Sequence, residues 1–133
     1  MIILDTHVLL WMDRNDAALG AEARRCIEEA WRLEGVGVSV ISFWETAMLA
    51  QRGRITLPVT AEAWRTDLLQ AGVQEIPLDG RTALMAASML DFHRDPADRF
   101  IVASAIAHNA LLVTADSEIL SRAGGVRKLD ARV

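Results

Sequence analysis

The chain has 133 residues, a single cysteine and a formal net charge of −4, and it is 52% hydrophobic and 24% charged. This length and apolar fraction predict one globular domain, residues 1–133, with a substantial buried core. The acidic charge balance argues against a protein that grips nucleic acid over a broad surface. No apolar run approaches the ~18 residues that a membrane span needs.

We expect a cytoplasmic protein. The N-terminal stretch lacks a basic leader followed by a small-residue cleavage site, so the sequence does not predict a signal peptide. Cys26 has no second cysteine with which to form an internal disulfide. Its helical surroundings favour a small core residue in a reducing compartment.

Short strand-like runs alternate with longer helical patterns along the chain. In chain order we predict a strand at residues 2–4, a helix following Asp5, a helix at 17–33, a strand at 36–41, helices at 42–53 and 60–72, a strand at 73–78, helices at 80–93 and 95–110, a strand at 111–116, a helix at 117–124 and a strand at 126–129. Strands separated by helices favour a parallel sheet of about five strands covered on both faces. The expected fold is therefore a three-layer α/β/α domain.

Several helix boundaries carry specific signals. Ser42 has Glu45 three residues later, the spacing of a capping box, which predicts that a helix begins there. Thr60 and Gly72 have the residue types that cap the start and the end of a helix. Pro96 suits the first turn of the helix that contains it.

Four acidic residues fall at one edge of the predicted sheet. Asp5 and Asp116 follow the first and fourth strands, and Glu45 and Asp98 lie at or just inside the first turns of helices. Ligands of such sheets bind beyond the carboxyl ends of the strands, so the four carboxylates face one crevice if these two strands are neighbours. Crowded carboxylates need a neutralising cation, and hard oxygen ligands without cysteine or suitably spaced histidine favour Mg²⁺ or Mn²⁺.

Each acid also has a structural alternative. Asp5 and Asp116 can cap the helices that follow them. Glu45 can be the second member of a capping box, and Asp98 can be a first-turn charge that the helix dipole favours. For Asp95, directly before a first-turn proline, an N-cap is the preferred interpretation.

Four segments carry a resemblance to a known family. The stretches ILDTHVLLW, SFWETAML, DPADRFIVASA and LVTAD occur in this order over nearly the whole chain. Together they resemble PIN-domain ribonucleases and, among these, the VapC toxins of bacterial toxin–antitoxin pairs. The resemblance implies a PIN-like fold, an acidic pocket holding Mg²⁺ or Mn²⁺, and endonuclease action on RNA. It also implies a cognate VapB-like antitoxin that inhibits the site, and a homodimer.

Residue roles follow from the same resemblance. It assigns catalytic and metal-binding roles to four acids, Asp5, Glu45, Asp98 and Asp116. Asp95 is an extra acid in the same segment and contributes through water. Thr6, Thr114 and Ser117 match polar positions beside the site. For Arg99, contact with a substrate phosphate and a surface ion pair both stay open.

The expected reaction is hydrolysis of an RNA phosphodiester by a metal-activated water. A bound cation polarises a phosphoryl oxygen and lowers the pKa of a water molecule, which attacks in line. By resemblance, the products carry a 5′-phosphate and a 3′-hydroxyl.

Two other classes of protein stay open. Phosphatase and phosphoacceptor domains of a similar sheet type also place an aspartate after the first strand. However, a haloacid-dehalogenase-like phosphatase would have a second aspartate where His7 stands, and a receiver domain would have an acidic pair near the N-terminus, with Asp79 as its central aspartate. The other class is a PIN-like interaction domain without catalytic activity, although every acid position is filled.

The histidines and tryptophans have structural interpretations. His7, His93 and His108 lack ligand spacing, and all four tryptophans lie on helical patterns that are typical of a core. VapC toxins carry an apolar groove that takes the C-terminal segment of the antitoxin. By resemblance, Trp11 or Trp44 is a candidate for lining that groove.

Overall fold

A computed structural model describes residues 1–89 and 95–133. Its sheet contains β1 (Ile2–Leu4), β2 (Val36–Ser39), β3 (Gln74–Ile76), β4 (Leu111–Thr114) and β5 (Lys128–Asp130). Within these described ranges, seven helices flank this sheet, namely α1 (Thr6–Asp13), α2 (Ala21–Leu33), α3 (Val40–Gln51), α4 (Ala61–Gln70), α5 (Gly80–Ala87), α6 (Pro96–Ala107) and α7 (Ser117–Arg122). The predicted three-layer α/β/α fold is confirmed.

The five strands are parallel and lie in the order β3-β2-β1-β4-β5. β1 pairs on one side with β2 and on the other with β4, so that Ile2 lies opposite both Val36 and Leu111. The first and fourth strands are therefore neighbours, which was the condition for a shared crevice. The chain order reverses at β1, and ligands of parallel sheets bind at such a point.

Apolar side chains on both faces bury the central strand. Ile2 and Leu4 belong to one core cluster, and Ile3 belongs to the cluster on the other face of the sheet. Their exposure is 3% or less. This alternation is expected of a strand with helices on both faces, since successive side chains point to opposite sides.

The predicted boundary between the second strand and the next helix was wrong. The strand ends at Ser39, and α3 begins at once, with the Ser39 hydroxyl accepting a hydrogen bond from the amide of Ile41 at 3.2 Å. Ser42 is therefore a buried residue of the first turn rather than the N-cap. The β-branched Val40 and Ile41 favour a strand intrinsically, but the serine cap and tertiary packing override that propensity.

Other boundaries agree with the sequence or move by a few residues. Thr60 caps α4 and Asp95 caps α6, both as predicted. The helix predicted at 17–33 begins only at Ala21, and the last strand is Lys128–Asp130 rather than 126–129. The helix predicted at 80–93 ends at Ala87, while residues 90–94 lie outside the described residues.

The prediction that the tryptophans form core was right for Trp64 and wrong for Trp44. Trp64 is 3% exposed, Trp44 is 56% exposed, and the other two are half-buried. On α3 the buried side chains are Ser42 and Thr46, which lie one turn apart, and a residue midway between them points away from the sheet. Cys26, predicted to be a small core residue, is half-buried.

Residues 131–133, which follow β5, form backbone hydrogen bonds with the end of β4 and with the start of α2. The amide of Ala131 donates to the carbonyl of Thr114 at 2.8 Å, and the amide of Gly20 donates to the carbonyl of Ala131 at 2.8 Å. The amide of Ala23 donates to the carbonyl of Val133 at 3.0 Å. A Cβ atom on Gly20 would lie 2.0 Å from that same Val133 oxygen. Residue 20 must therefore be glycine if residues 131–133 are to pack there.

Across the described parts of the chain, none of the helices combines the length and the hydropathy that crossing a membrane requires.

We expect Gly20→Ala to lower the melting temperature by roughly 3–10 °C, because the added Cβ displaces backbone at a cost of about 1–3 kcal/mol. Gly80→Ala is the matched control, since Gly80 is the first residue of a helix, as Gly20 is the N-cap of one, and a Cβ on Gly80 meets no atom within 4 Å. It should leave the melting temperature unchanged or slightly raised. Thermal unfolding followed by circular dichroism measures both variants. Equal melting temperatures for Gly20→Ala and wild type would contradict the close packing of residues 131–133 on α2.

Candidate active site at the carboxyl edge of the sheet

A cavity of about 920 Å³ opens where β1 and β4 end, and we call it the acidic crevice. It is lined by five carboxylates, Asp5, Glu45, Asp95, Asp98 and Asp116, and by Thr6, His7, Trp11, Ala18, Ala115 and Arg132. All four acids that the sequence pattern selected therefore share one crevice, and the extra acid of the DPAD segment joins them.

Two hydrogen bonds orient the Asp5 side chain at the end of β1. One carboxylate oxygen accepts a hydrogen bond from the Thr6 amide at 2.8 Å, and the other accepts one from Thr114 Oγ1 at 2.6 Å. The side chain is only 5% exposed. Burial raises the pKa of the Asp5 carboxyl, and these two hydrogen bonds oppose that rise. Asp5 is thus the N-cap of α1 and also a wall of the acidic crevice.

Glu45 projects into the acidic crevice from the second turn of α3. Its Oε1 accepts a hydrogen bond from Thr6 Oγ1 at 2.5 Å, and the same hydroxyl lies 2.9 Å from Ser42 Oγ. The capping-box alternative for Glu45 is wrong, because α3 is capped by Ser39. Burial raises the pKa of Glu45, as do the nearby carboxylates of Asp5 and Asp95. Thr6 therefore fixes the orientation of a half-buried carboxylate whose pKa is raised.

Asp98 is a third acid of the crevice whose pKa is raised. It lies in the first turn of α6, is 9% exposed, and burial together with the nearby carboxylates raises its pKa to about 8. Asp98 is also the acid in the first turn of α6, the position at which the helix dipole favours a negative charge. Asp95 precedes it as an exposed N-cap that accepts from the Ala97 amide at 3.0 Å.

Asp116 both caps a helix and lines the acidic crevice. One carboxylate oxygen accepts from the amides of Glu118 and Ile119, at 2.8 and 3.0 Å, so the capping alternative is confirmed. The amide of Asp116 donates to Thr114 Oγ1 at 3.0 Å. Thr114 thus connects two acids of the site, Asp5 and Asp116, through one hydroxyl.

Three residues that the sequence placed beside the site are not part of the lining in the described structure, although one of them, Thr114, donates a hydrogen bond to Asp5. Ser117 is exposed at the start of α7, and Arg99 is half-buried on α6. The Nε of Arg99 is buried without a hydrogen-bond partner among the described residues. His108 is exposed and does not line the crevice, whereas His93 lies outside the described residues.

Sequence reasoning missed two lining residues that carry chemistry. Trp11, which was assigned to the core, packs against the core cluster as a half-buried side chain and also lines the acidic crevice. Arg132 follows the last strand and was not considered. The signal that would have found Arg132 is its position just past β5, because the carboxyl ends of parallel strands share one edge of the sheet.

The donor set fits a hard divalent cation. One carboxylate oxygen each from Glu45, Asp95 and Asp98 lies within 4.8 Å of the other two. Asp5, whose carboxylate lines the same crevice, raises the pKa of Asp98 by its charge. Such a cluster repels itself when ionised, and a cation with oxygen preference relieves that repulsion.

In EDTA, Asp98→Asn should be more stable than wild type, by roughly 5 °C or more at pH 8. The folded state holds a proton on Asp98 up to about pH 8, whereas the ordinary carboxyl loses it near 3.8. Stability of the metal-free wild type therefore falls as pH rises between these values, and the difference from the variant should be smaller at pH 5. Asp67→Asn, at an exposed site on α4, should show no such pH-dependent gain in differential scanning fluorimetry. A gain that is equal at both pH values would contradict the buried-charge explanation.

Comparisons with known proteins agree with this geometry. A family model described as PIN domain matches residues 2–126. Over 124 residues the chain is 35% identical to Ribonuclease VapC22 of Mycobacterium tuberculosis (strain ATCC 25618 / H37Rv), covering 90% of each. The fold is similar to VapBC2 from Rickettsia felis bound to a promoter DNA fragment, with a TM-score of 0.73, 15% identity, and 97% of this chain and 98% of that chain covered. It is also similar to a toxin–antitoxin complex from Klebsiella pneumoniae, with a TM-score of 0.65, 19% identity and 95% of both chains covered. The chain therefore belongs to the PIN domain family and, by its identity to a VapC ribonuclease, to the VapC branch of that family.

Proposed function

We propose that this protein is a metal-dependent endoribonuclease and the toxin component of a type II toxin–antitoxin module. The observation that carries the proposal is the approach of three carboxylate oxygens, from Glu45, Asp95 and Asp98, to within 4.8 Å inside the acidic crevice. The name of the relative, a ribonuclease, supports RNA as the substrate. The cytoplasmic location is predicted from the sequence, and the homodimer is predicted from the resemblance to VapC toxins.

Asp5, Glu45 and Asp98 would hold Mg²⁺ or Mn²⁺. Asp116 would bind the cation from the end of β4, and Asp95 would contribute through water. When bound, the cation supplies Lewis acidity for phosphodiester hydrolysis. Thr114 and Thr6 donate hydrogen bonds to Asp5 and Glu45, so these carboxylates reach the cation already oriented. To hold the cation, Asp98 would release to solvent the proton that its raised pKa retains at neutral pH in the metal-free protein.

The carboxylate cluster does not support the alternative classes, which are phosphatases, phosphoacceptor domains and inactive interaction domains. Asp79, the counterpart of a central phosphoacceptor aspartate, caps α5 by accepting from the Thr82 amide at 2.8 Å and does not line the acidic crevice in the described structure. The exposed His7 stands where a phosphatase of the haloacid-dehalogenase type would have an aspartate. In an inactive interaction domain, the buried carboxylates of Asp5 and Asp98 would destabilise the fold without contributing to an activity.

We expect purified protein, freed of any partner, to cleave RNA with Mg²⁺ or Mn²⁺ and to lose that activity in EDTA. Asp98→Ala should lower the cleavage rate by more than about 100-fold, because it removes a buried ligand, whereas Asp95→Ala should lower it by less than about tenfold. Asp67→Ala is the matched control and should cleave like wild type. Product ends are assigned with labelled RNA and should be 5′-phosphate and 3′-hydroxyl.

Two outcomes would contradict parts of this proposal. If the wild type cleaves no RNA with either metal while Asp5→Asn binds the same RNA, the nuclease function is wrong and an interaction domain is favoured. If Asp95→Ala abolishes cleavage and Asp98→Ala spares it, the roles of these two acids are reversed.

We also propose that the inhibiting partner is a VapB-like antitoxin whose apolar segment occupies a groove between α2 and α4. This groove has a volume of about 640 Å³. Its lining is mainly apolar, with Met12, Leu19, Ile27, Trp31, Leu68 and Ala71, and it carries charged side chains, Asp13, Arg24, Glu28 and Arg32. Trp31 is thus a further candidate for the antitoxin groove, beside Trp11 and Trp44, which the resemblance proposes.

Trp31→Ala is expected to weaken binding of the protein from the adjacent reading frame by about tenfold or more, since buried aromatic anchors dominate such interfaces. Trp44→Ala is the matched control, because Trp44 is 56% exposed and outside this groove. Isothermal titration calorimetry measures both, and thermal unfolding checks that each variant is folded. Weakened binding for Trp44→Ala alone would place the antitoxin segment elsewhere.

A further inference from the structure

Arg132 is a basic group inside an otherwise acidic lining. Among residues 1–89 and 95–133, it is the one lysine or arginine side chain that lines the acidic crevice. We infer that Arg132 holds a phosphate of the RNA strand that flanks the bond to be cut. This inference rests on the proposed ribonuclease function and names a substrate contact within it.

The main chain around Arg132 is fixed on both sides. Ala131, fully buried, bonds through its amide to the Thr114 carbonyl and through its carbonyl to the Gly20 amide. Val133 accepts from the Ala23 amide on the first turn of α2. Arg132 therefore extends from a backbone that is tied to both β4 and α2, and its side chain starts from a defined position at the rim.

The guanidinium is oriented and still has donors to offer. Asp130 Oδ1 accepts from the Arg132 amide at 2.9 Å and from its Nε at 3.1 Å, and one terminal nitrogen lies 3.5 Å from Asp130 Oδ2. The Arg132 side chain is nevertheless 53% exposed. A guanidinium has five N–H donors, so those not directed at Asp130 are available for a phosphate oxygen.

The sheet order places Arg132 away from the cluster that would hold the cation. Along the carboxyl edge, Glu45 follows β2, Asp5 follows β1, Asp116 follows β4 and Arg132 follows β5. Strands lie about 4.8 Å apart, so the end of β5 is about 10 Å from the end of β1. The main chain of Arg132 therefore lies beyond the Asp116 side of the crevice, which suits contact with a flanking phosphate rather than the scissile one.

Electrostatics explains why such a contact is needed. Five carboxylates line the crevice, and a divalent cation neutralises only part of their charge. An RNA strand carries a negative phosphate at every nucleotide, so phosphates outside the metal site are repelled. A fixed guanidinium at the β5 side offsets this repulsion through a charge-assisted hydrogen bond.

The test uses an RNA oligonucleotide that spans a cleavage site mapped first in total RNA. KM and kcat are measured with Mn²⁺ at several KCl concentrations. Arg132→Gln should raise KM by about 5- to 20-fold with kcat within about twofold of wild type, because the lost contact is a binding contact. The slope of log KM against log salt should fall by about 0.7, the value for one phosphate contact to a single strand. Arg132→Lys should keep the salt slope because it keeps the charge.

Arg65→Gln is the matched control. Arg65 is also a half-exposed arginine paired with one carboxylate, Glu75, but it lies on α4 outside the acidic crevice. Its KM and salt slope should equal those of wild type. An unchanged KM and slope in Arg132→Gln, or a fall in kcat at constant KM, would overturn the inference while wild-type cleavage sustains the proposed function. Wild type that cleaves no RNA would overturn both.

Discussion

The interaction on which the site depends is the hydrogen bond from Thr114 Oγ1 to the Asp5 carboxylate. Thr114 ends β4 and Asp5 follows β1, so the bond exists only when these strands lie side by side. It also opposes the rise in the Asp5 pKa that burial causes. Because Asp5 and Thr6 are adjacent, the position of Asp5 sets that of Thr6, which in turn donates to Glu45. One strand pairing thereby orders two carboxylates on different elements.

Burying carboxylates opposes folding, and the rest of the structure offsets that cost. Burial raises the pKa of Asp5, Glu45 and Asp98. The sheet beneath them is apolar on both faces, with Ile3 and Leu4 fully buried in separate clusters. The free energy gained by burying this core offsets the unfavourable burial of carboxylates at the edge of the sheet. Functional sites commonly lower the stability of a protein in this way.

Much of the fold and most of the site followed from the sequence. Asp5 could be predicted because a carboxylate directly after a buried apolar run lies at the ligand-binding edge of a parallel sheet. The pairing of β1 with β4 could not be read from spacing, since tertiary packing selects it. The start of α3 was missed because the β-branched Val40 resembles strand, while the Ser39 cap decides the helix. Arg132 was missed because its relevance depends on where β5 ends.

The parallel pairing of β1 with β4 also has a consequence for biosynthesis. The two strands are separated by most of the chain, and the hydrogen bond between their ends spans 109 residues. Contacts of such long range form late and slowly. A chain still emerging from the ribosome has its first acid but neither the threonine nor the last wall of the crevice. The acidic crevice is therefore complete only after the chain has been translated as far as Arg132.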